Sequence, residues 1–172
     1  MTTLYVNPQT GSDAAVGSQS APFKTIARAI IARAASGTTI QLAPATYSAA
    51  SGEKFPLEIP SGVKVIGNEA NKGRGILIQG SGKFVSPTAA GQNITILLAT
   101  NSELRGVTVT NLDSRGTGVW IESTSPTVAN CTFTLCKREG VFATGTANPA
   151  ILDNISSQTQ LITQIHSRMI FP

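Results

Sequence analysis

The 172-residue sequence contains few charged and few aromatic side chains, 13% and 5% of its residues. The excess of 13 basic over 9 acidic residues gives a net charge of +4, but the basic residues are scattered along the chain. Because no basic cluster with interleaved aromatics occurs, binding to nucleic acid is excluded. No run of about 18 apolar residues is present either, which excludes a membrane-spanning helix.

Cysteine and histidine are also scarce, with Cys131, Cys136 and a single His166. Two cysteines five residues apart do not make a disulfide framework, and a zinc site needs four ligands at suitable spacing. The acidic residues form no cluster of the kind that calcium requires. We therefore expect two buried free thiols, no metal and no cofactor.

The residue types that do dominate are Gly, Thr, Ser, Ala, Val and Ile, a composition typical of β-rich chains with many tight turns. The N-terminal part contains an ordered series of short motifs. They are Tyr5-Val6, Gly11-Ser12-Asp13, Gly17-Ser18 and Pro22-Phe23-Lys24-Thr25-Ile26. This series resembles the N-terminal signature of pectin-lyase-like right-handed parallel β-helix proteins, in particular an uncharacterised family common in cyanobacterial secreted proteins.

The resemblance implies an all-β, single-stranded right-handed parallel β-helix (a solenoid) with an N-terminal capping α-helix. It also implies an extracellular or periplasmic location. The chain as written begins directly with its first strand and shows no basic or apolar segment of a signal peptide.

A strand and an amphipathic helix are predicted within residues 1–37, where they would cap one end of the solenoid. Ser20 is predicted as the helix N-cap, Pro22 as part of the first turn and Gly37 as the stop. The apolar face recurs at helical spacing; its residues are Phe23, Ile26, Ala27, Ile30 and Ala34.

Coils of short alternating strands are predicted over residues 38–157. The longer loops at 43–56, 67–75 and 80–92 are expected to project from the stack. Residues 158–172 show no repeat, so they are predicted to form an irregular tail or lid, or to be the end of a truncated solenoid. An open end also predicts self-association through unpaired strand edges.

An internal repeat supports this fold, since residues 104–110 align with 128–134 and, more weakly, with 152–157. Both offsets are 24 residues, which is typical of one solenoid coil. Two interior columns follow from this period. The first is Leu104, Val128 and Leu152, and the second is Val107, Cys131 and Ile155.

Two neighbouring turns carry the richest set of candidate catalytic groups: Asp113 and Arg115 in one, Lys137, Arg138 and Glu139 in the other. Aligned from the preceding strands, Asp113 lies on Lys137 and Arg115 on Glu139, giving two surface ion pairs. Aligned from the following strands, the offset is 22 and Arg115 lies on Lys137, a basic pair suited to an acidic sugar. The sequence leaves both registers open.

Strand alternation predicts that Trp120 and Phe142 point outward, one coil apart. With Arg115 and Lys137 beside them, they would form an exposed aromatic strip that binds an acidic polysaccharide. The competing interpretation is that a loop or a partner chain covers both rings.

The leading functional hypothesis is thus a non-catalytic carbohydrate-binding or structural module. The alternative is a polysaccharide lyase, for which no convergent acid–base set is evident. A third hypothesis is ice binding by outward threonines repeated on two coils. These are Thr108, Thr110, Thr132 and Thr134.

Overall fold

The structure is a computed structural model that describes residues 2–33 and 35–166. Over these residues the chain is mostly β-strand, with one α-helix, α1 (Ile26–Arg33). The strands in chain order are β1 (Thr2–Val6), β2 (Thr38–Leu42), β3 (Ala45–Ser48), β4 (Leu57–Ile59), β5 (Lys64–Ile66), β6 (Ile76–Gln79), β7 (Gly82–Ser86), β8 (Ala90–Leu98), β9 (Glu103–Arg105), β10 (Thr108–Thr110), β11 (Gly116–Glu122), β12 (Thr127–Ala129), β13 (Thr132–Thr134), β14 (Glu139–Gly145), β15 (Ala150–Leu152), β16 (Ile155–Ser157) and β17 (Gln160–His166).

These strands form three parallel sheets. The first has the order β1-β2-β5-β9-β12-β15, the second β3-β6-β10-β13-β16 and the third β4-β8-β11-β14-β17, with β7 antiparallel to β8. From β2 onward the chain enters the first, second and third sheets in turn and then returns to the first. This arrangement is compatible with the predicted parallel β-helix.

The core consists of apolar residues that repeat from strand to strand at equivalent positions. In the first sheet Ile40 pairs with Val65, Val65 with Leu104, and Leu104 with Val128, and each is at most 1% exposed. Each strand therefore shields the apolar side chain of its neighbour, which favours parallel stacking.

The 24-residue offset is confirmed for the first two copies of the repeat, since Thr108 pairs with Thr132. The third copy is offset by 23 residues, because Val128 pairs with Ile151. Placing Leu152 and Ile155 in the interior columns was therefore wrong, and their side chains are 50% and 47% exposed. A one-residue deletion moves every side chain of a strand to the opposite face.

The interior position predicted for Ile155 is occupied by Asn154. Its Oδ1 accepts a hydrogen bond from the Cys131 amide at 2.9 Å, and its Nδ2 donates to the Val128 carbonyl at 2.9 Å. Cys131 and Cys136 are free and buried, as predicted. Burial raises the pKa of both thiols to about 11, so they remain protonated at neutral pH.

Helix α1 begins later than predicted, and Ser20 does not cap it. Thr25 Oγ1 accepts from the Arg28 amide at 3.0 Å, so Thr25 supplies the local cap. The remaining first-turn amides, those of Ile26 and Ala27, donate to the buried carboxylate of Glu53 at 2.6 and 3.1 Å. Glu53 comes from the 43–56 loop, which therefore folds back beneath the helix.

The 67–75 loop also folds back, across the outer side of the second sheet. The hydroxyls of Thr108 and Thr132 donate to the carbonyls of Gly73 and Lys72 at 3.0 and 2.8 Å. A Cβ at Gly73 would collide with the Val107 backbone, so this close approach requires glycine. Since these two hydroxyls are bonded, Thr110 is only 4% exposed and Thr134 accepts a hydrogen bond from Ser157, the open threonine face required for ice binding is absent from the part of the chain described.

The irregular tail predicted at 158–172 is only partly covered by the described residues. Residues 160–166 form β17, a regular strand parallel to β14, so an irregular tail is wrong for this segment. Residues 167–172 lie outside the described part. The division into cap, coils and tail stays a prediction.

Candidate functional site

The third predicted loop, residues 80–92, forms most of an antiparallel hairpin of β7 and β8. β8 also belongs to the third sheet, and β7 with the tip of the hairpin folds over the outer face of that sheet. Trp120 and Phe142 on this face are covered and are 0% and 1% exposed. The two rings stack with centroids 4.3 Å apart, and Phe84 of β7 lies 6.2 Å from Trp120. The prediction of an exposed aromatic strip was therefore wrong, because a loop covers both rings.

The tip of the hairpin is fixed by the carboxylate of Glu122. It accepts hydrogen bonds from Trp120 Nε1 at 2.9 Å, Ser86 Oγ at 2.6 Å and Thr88 Oγ1 at 2.7 Å. Hydrogen bonds to an ionised acceptor are among the stronger ones in proteins. Glu122 thus holds the hairpin closed over the indole and satisfies the only polar atom of Trp120.

Arg138 covers the other end of the aromatic stack. Its guanidinium lies 4.5 Å from the Phe142 centroid and 5.9 Å from that of Trp120. It also donates to Gln92 Oε1 at 2.6 Å and to Glu139 Oε1 at 3.0 Å. Arg138 is therefore bonded to both the hairpin and the buried Glu139, which also accepts from Thr117 Oγ1, and these contacts make both residues poor catalytic candidates.

The strands that precede the two turns pair at the 24-residue offset, Thr108 with Thr132, and the strands that follow them pair at the 22-residue offset, Val119 with Val141. The second turn is therefore two residues shorter than the first, and Arg115 and Lys137, one in each turn, are both exposed. Among the described residues, the alternative ion pairs of Asp113 with Lys137 and Arg115 with Glu139 do not form. Asp113 is exposed in the same turn as Arg115.

A cleft lies between the hairpin and this turn, with a volume of about 330 Å³. Lys83, Phe84 and Val85 form one side, Ser114 and Arg115 form the other, and Gln92 and Asn93 lie between them. We call this the cationic cleft. Asn93 Nδ2 donates to the Ser114 carbonyl at 2.8 Å, which ties the turn to the hairpin and places Arg115 at the cleft.

The cationic cleft is lined by two exposed cations, Lys83 and Arg115, and by the partly exposed residue Phe84. Lysine and arginine bind carboxylates, and the flat face of an aromatic ring packs against an apolar surface. No acidic residue lines the cleft among the described residues, so its side chains are suited to binding an anion rather than to paired-carboxylate hydrolysis.

Of the predicted site residues, the structure places only Arg115 in this cleft. Lys137 is exposed nearby without lining it, and Trp120 and Phe142 lie beneath the hairpin. The sequence reasoning missed Lys83, Phe84 and Asn93. The signal that could have found them is the alternation of residues 82–86, the turn-forming segment 87–91 and a second apolar run, a hairpin pattern.

Within residues 2–33 and 35–166, no group of three or more His, Cys, Asp or Glu side chains is placed to hold a metal ion. Over the same ranges, the single helix is too short and too polar to cross a bilayer.

No curated protein matches the chain in sequence. Among solved structures, the chain is similar to a crystal structure described as native GH136 lacto-N-biosidase from Eubacterium ramulus, with 13% identity and a TM-score of 0.43. The match covers 90% of this chain and 36% of the other protein. A family model described as "Protein of unknown function (DUF1565)" matches residues 9–170. Since this match spans almost the entire sequence, the chain belongs to the DUF1565 family.

Proposed function

We propose that this chain is a non-catalytic carbohydrate-binding module built on a right-handed parallel β-helix, and that the cationic cleft binds an acidic polysaccharide. The single observation that carries the proposal is the convergence of Lys83, Phe84 and Arg115 on one cleft. Two separate elements, the hairpin and the 113–115 turn, supply these groups, and the Asn93–Ser114 hydrogen bond joins them.

The proposed right-handed coil is supported by the cyclic order of strands in the three parallel sheets. Crossover connections between parallel strands of one sheet are right-handed in about 98% of cases. The N-terminal motifs support the more specific likeness to the cyanobacterial pectin-lyase-like family. That likeness alone supports the proposed extracellular or periplasmic location.

The cleft fits an acidic sugar in size and in chemistry. Its volume of about 330 Å³ lies at the lower end of the range of small-ligand pockets, roughly 300–1,000 Å³. A uronate carboxylate between Lys83 and Arg115 would form charge-assisted hydrogen bonds, while the apolar side of the ring packs on Phe84. Asn93 and Gln92 also line the cleft, but the side-chain amide of each already takes part in a hydrogen bond.

The test is calorimetric titration of an oligogalacturonate into the protein and into the Lys83→Ala/Arg115→Ala variant. We expect the double variant to lose about tenfold or more in affinity, because both cations that contact the carboxylate are removed. Lys137→Ala is the matched control, since Lys137 is an exposed cation near the cleft that does not line it. Equal losses in the control and the double variant would show only nonspecific attraction, and unchanged binding in both would contradict the site.

The lyase alternative predicts that the protein cleaves acidic polysaccharides to unsaturated products, which absorb at 235 nm. Incubation with pectate, alginate and chondroitin should leave the absorbance at 235 nm unchanged if the module only binds. A rising absorbance that is lost in the Lys83→Ala/Arg115→Ala variant would instead assign catalysis to the cationic cleft.

A further inference from the structure

A second cavity lies on the other side of Phe84 and has the opposite charge. It has a volume of about 350 Å³, and its walls include Pro60, Phe84, Leu97 and Thr124, with the carboxylates of Glu58 and Glu122. We call it the anionic pocket. No lysine, arginine or histidine lines it among the described residues.

The two carboxylates project from the outer face of the third sheet. Glu58 of β4 pairs with Leu97 of β8, and Leu97 pairs with Trp120, two residues before Glu122 on β11. The two glutamates are thus two strands and two residues apart, about 12 Å between their Cα atoms. Leu97 of β8 lies between them on the same face, so the pocket has an apolar floor with an acid on each side.

Neither glutamate has a cationic partner in the described part of the chain. The ion pairs there involve Glu103, Glu69 and Glu139 only. Glu122 is partly buried and held in place by three neutral donors, Trp120, Ser86 and Thr88. A fixed and partly desolvated carboxylate without a counter-charge favours a cation that enters the pocket.

The charge and the walls together define the ligand. The pair is not part of any group of three potential metal ligands within the described residues, so a bare metal ion is disfavoured. An organic cation satisfies both features, because its ammonium group can bind the carboxylates while its body packs on Phe84 and Leu97. We propose that the anionic pocket binds a protonated amino sugar.

This proposal rests on the proposed function only in taking the ligand to be a sugar, since the two cavities share Phe84 but have separate charged groups. A glycan that carries both a uronate and an amino sugar would occupy both cavities, one on each side of that ring. The cations of the cationic cleft would select the uronate, and the carboxylates of the anionic pocket would select the amino sugar.

The test uses two ligands and two sets of variants in a crossed design. A tetramer of glucosamine and its fully N-acetylated counterpart are titrated into the protein, into Glu58→Gln and into the Lys83→Ala/Arg115→Ala variant. We expect the glucosamine tetramer to bind more tightly than the acetylated one. Glu58→Gln should lower that affinity roughly three- to tenfold and leave oligogalacturonate binding unchanged.

Two further proteins complete the design. Asp113→Asn removes an exposed carboxylate outside the pocket and controls for net charge. Glu122→Gln should also weaken glucosamine binding, and its melting temperature reports whether the hairpin remains closed. Because the side chain of Glu58 makes no hydrogen bond or ion pair within the described residues, Glu58→Gln tests the pocket without disturbing the fold.

Equal affinity for the two tetramers, or no effect of Glu58→Gln, would overturn the anionic pocket while leaving the cationic cleft intact. The reverse result, with glucosamine binding lost in Glu58→Gln but no oligogalacturonate binding at all, would support the pocket and refute the proposed function. An equal loss of affinity for the glucosamine tetramer in Asp113→Asn would show that the effect depends only on the net charge of the protein, and it would also overturn the pocket.

Discussion

The hairpin of β7 and β8 and the 67–75 segment both cover the outer face of a parallel sheet, but by different chemistry. The hairpin buries a stacked pair, Trp120 and Phe142, and one carboxylate closes it. The 67–75 segment covers threonines whose hydroxyls bond its carbonyls, and its charged side chains remain partly exposed. The comparison indicates that the hairpin depends on burial of apolar area and the 67–75 segment on exchangeable polar contacts.

The polar contacts of the 67–75 segment converge on Asn130. Lys72 Nζ donates to Asn130 Oδ1 at 2.6 Å, and Asn130 Nδ2 donates to Glu69 Oε2 at 2.7 Å. Arg105 Nη1 also lies 3.3 Å from Glu69 Oε2. Loss of these contacts should cost less than loss of those around Glu122, because only the latter leaves the fully buried Trp120 with an unpaired indole N–H.

The largest effect is expected from Glu122→Ala, which removes the acceptor of three hydrogen bonds and leaves Trp120 Nε1 without a partner. We expect the free energy of unfolding to fall by about 3–4 kcal/mol. Chemical denaturation followed by fluorescence measures this loss. Glu58→Ala is the matched control on the same sheet and should change it by less than about 0.5 kcal/mol; equal losses would remove the special role of Glu122.

The third segment that folds back, residues 43–56, is held by a buried carboxyl group, that of Glu53, at the start of helix α1. Burial raises the pKa of Glu53 from its ordinary 4.5 to about 7, although the Ile26 and Ala27 amides lower it. Folding therefore favours the protonated form, and this contribution is present below about pH 4.5 and lost as the pH rises through 7.

Glu53→Gln should remove this pH dependence. Between pH 4.5 and 7.5, the stability of the protein relative to the variant should fall by on the order of 2–3 kcal/mol. Thermal unfolding at a series of pH values measures the difference. Parallel stability profiles for the two proteins would show that the pKa of Glu53 is not raised by folding.

A smaller effect is expected from Asn130→Ala, which removes the contacts of both Lys72 and Glu69. The loss of stability should be about 1–2 kcal/mol, with the hairpin unaffected. Hydrogen exchange should then increase in residues 67–75 and not in residues 82–98. Asn148→Ala, at an exposed asparagine, is the control. Increased exchange in both segments of Asn130→Ala would contradict the view that the hairpin and the 67–75 segment are held by separate contacts.

The sequence was sufficient to predict the features of the fold that repeat from one set of strands to the next. Alternation and the 24-residue period identified most of the strands, but not β3, β7 or β17. They also identified the interior column through Leu104 and Val128 and the outward direction of Trp120 and Phe142 relative to the main core. A one-residue deletion before β15 was invisible because strands as short as β15 and β16 accept several alignments. This is why Leu152 was placed inside and Ile151 was not.

The sequence was insufficient to predict what covers the sheets. All three loops expected to project fold back instead, through Glu53, through the carbonyls of Lys72 and Gly73, and through the hairpin that carries Phe84. Such contacts join residues far apart in the chain and follow no period. Of the candidate site, only Arg115 was therefore identified, because Lys83 and Phe84 lie in the 80–92 segment, which was predicted to project as a loop.

The central claim, that the hairpin covers the outward aromatic pair, can be tested directly because Trp120 is the only tryptophan in the sequence. Acrylamide quenching of the intrinsic fluorescence reports the accessibility of this one ring. The account predicts a blue-shifted emission with little quenching in the native protein, and efficient quenching in Glu122→Ala. Efficient quenching of the unmodified native protein, as strong as for the unfolded chain, would contradict it.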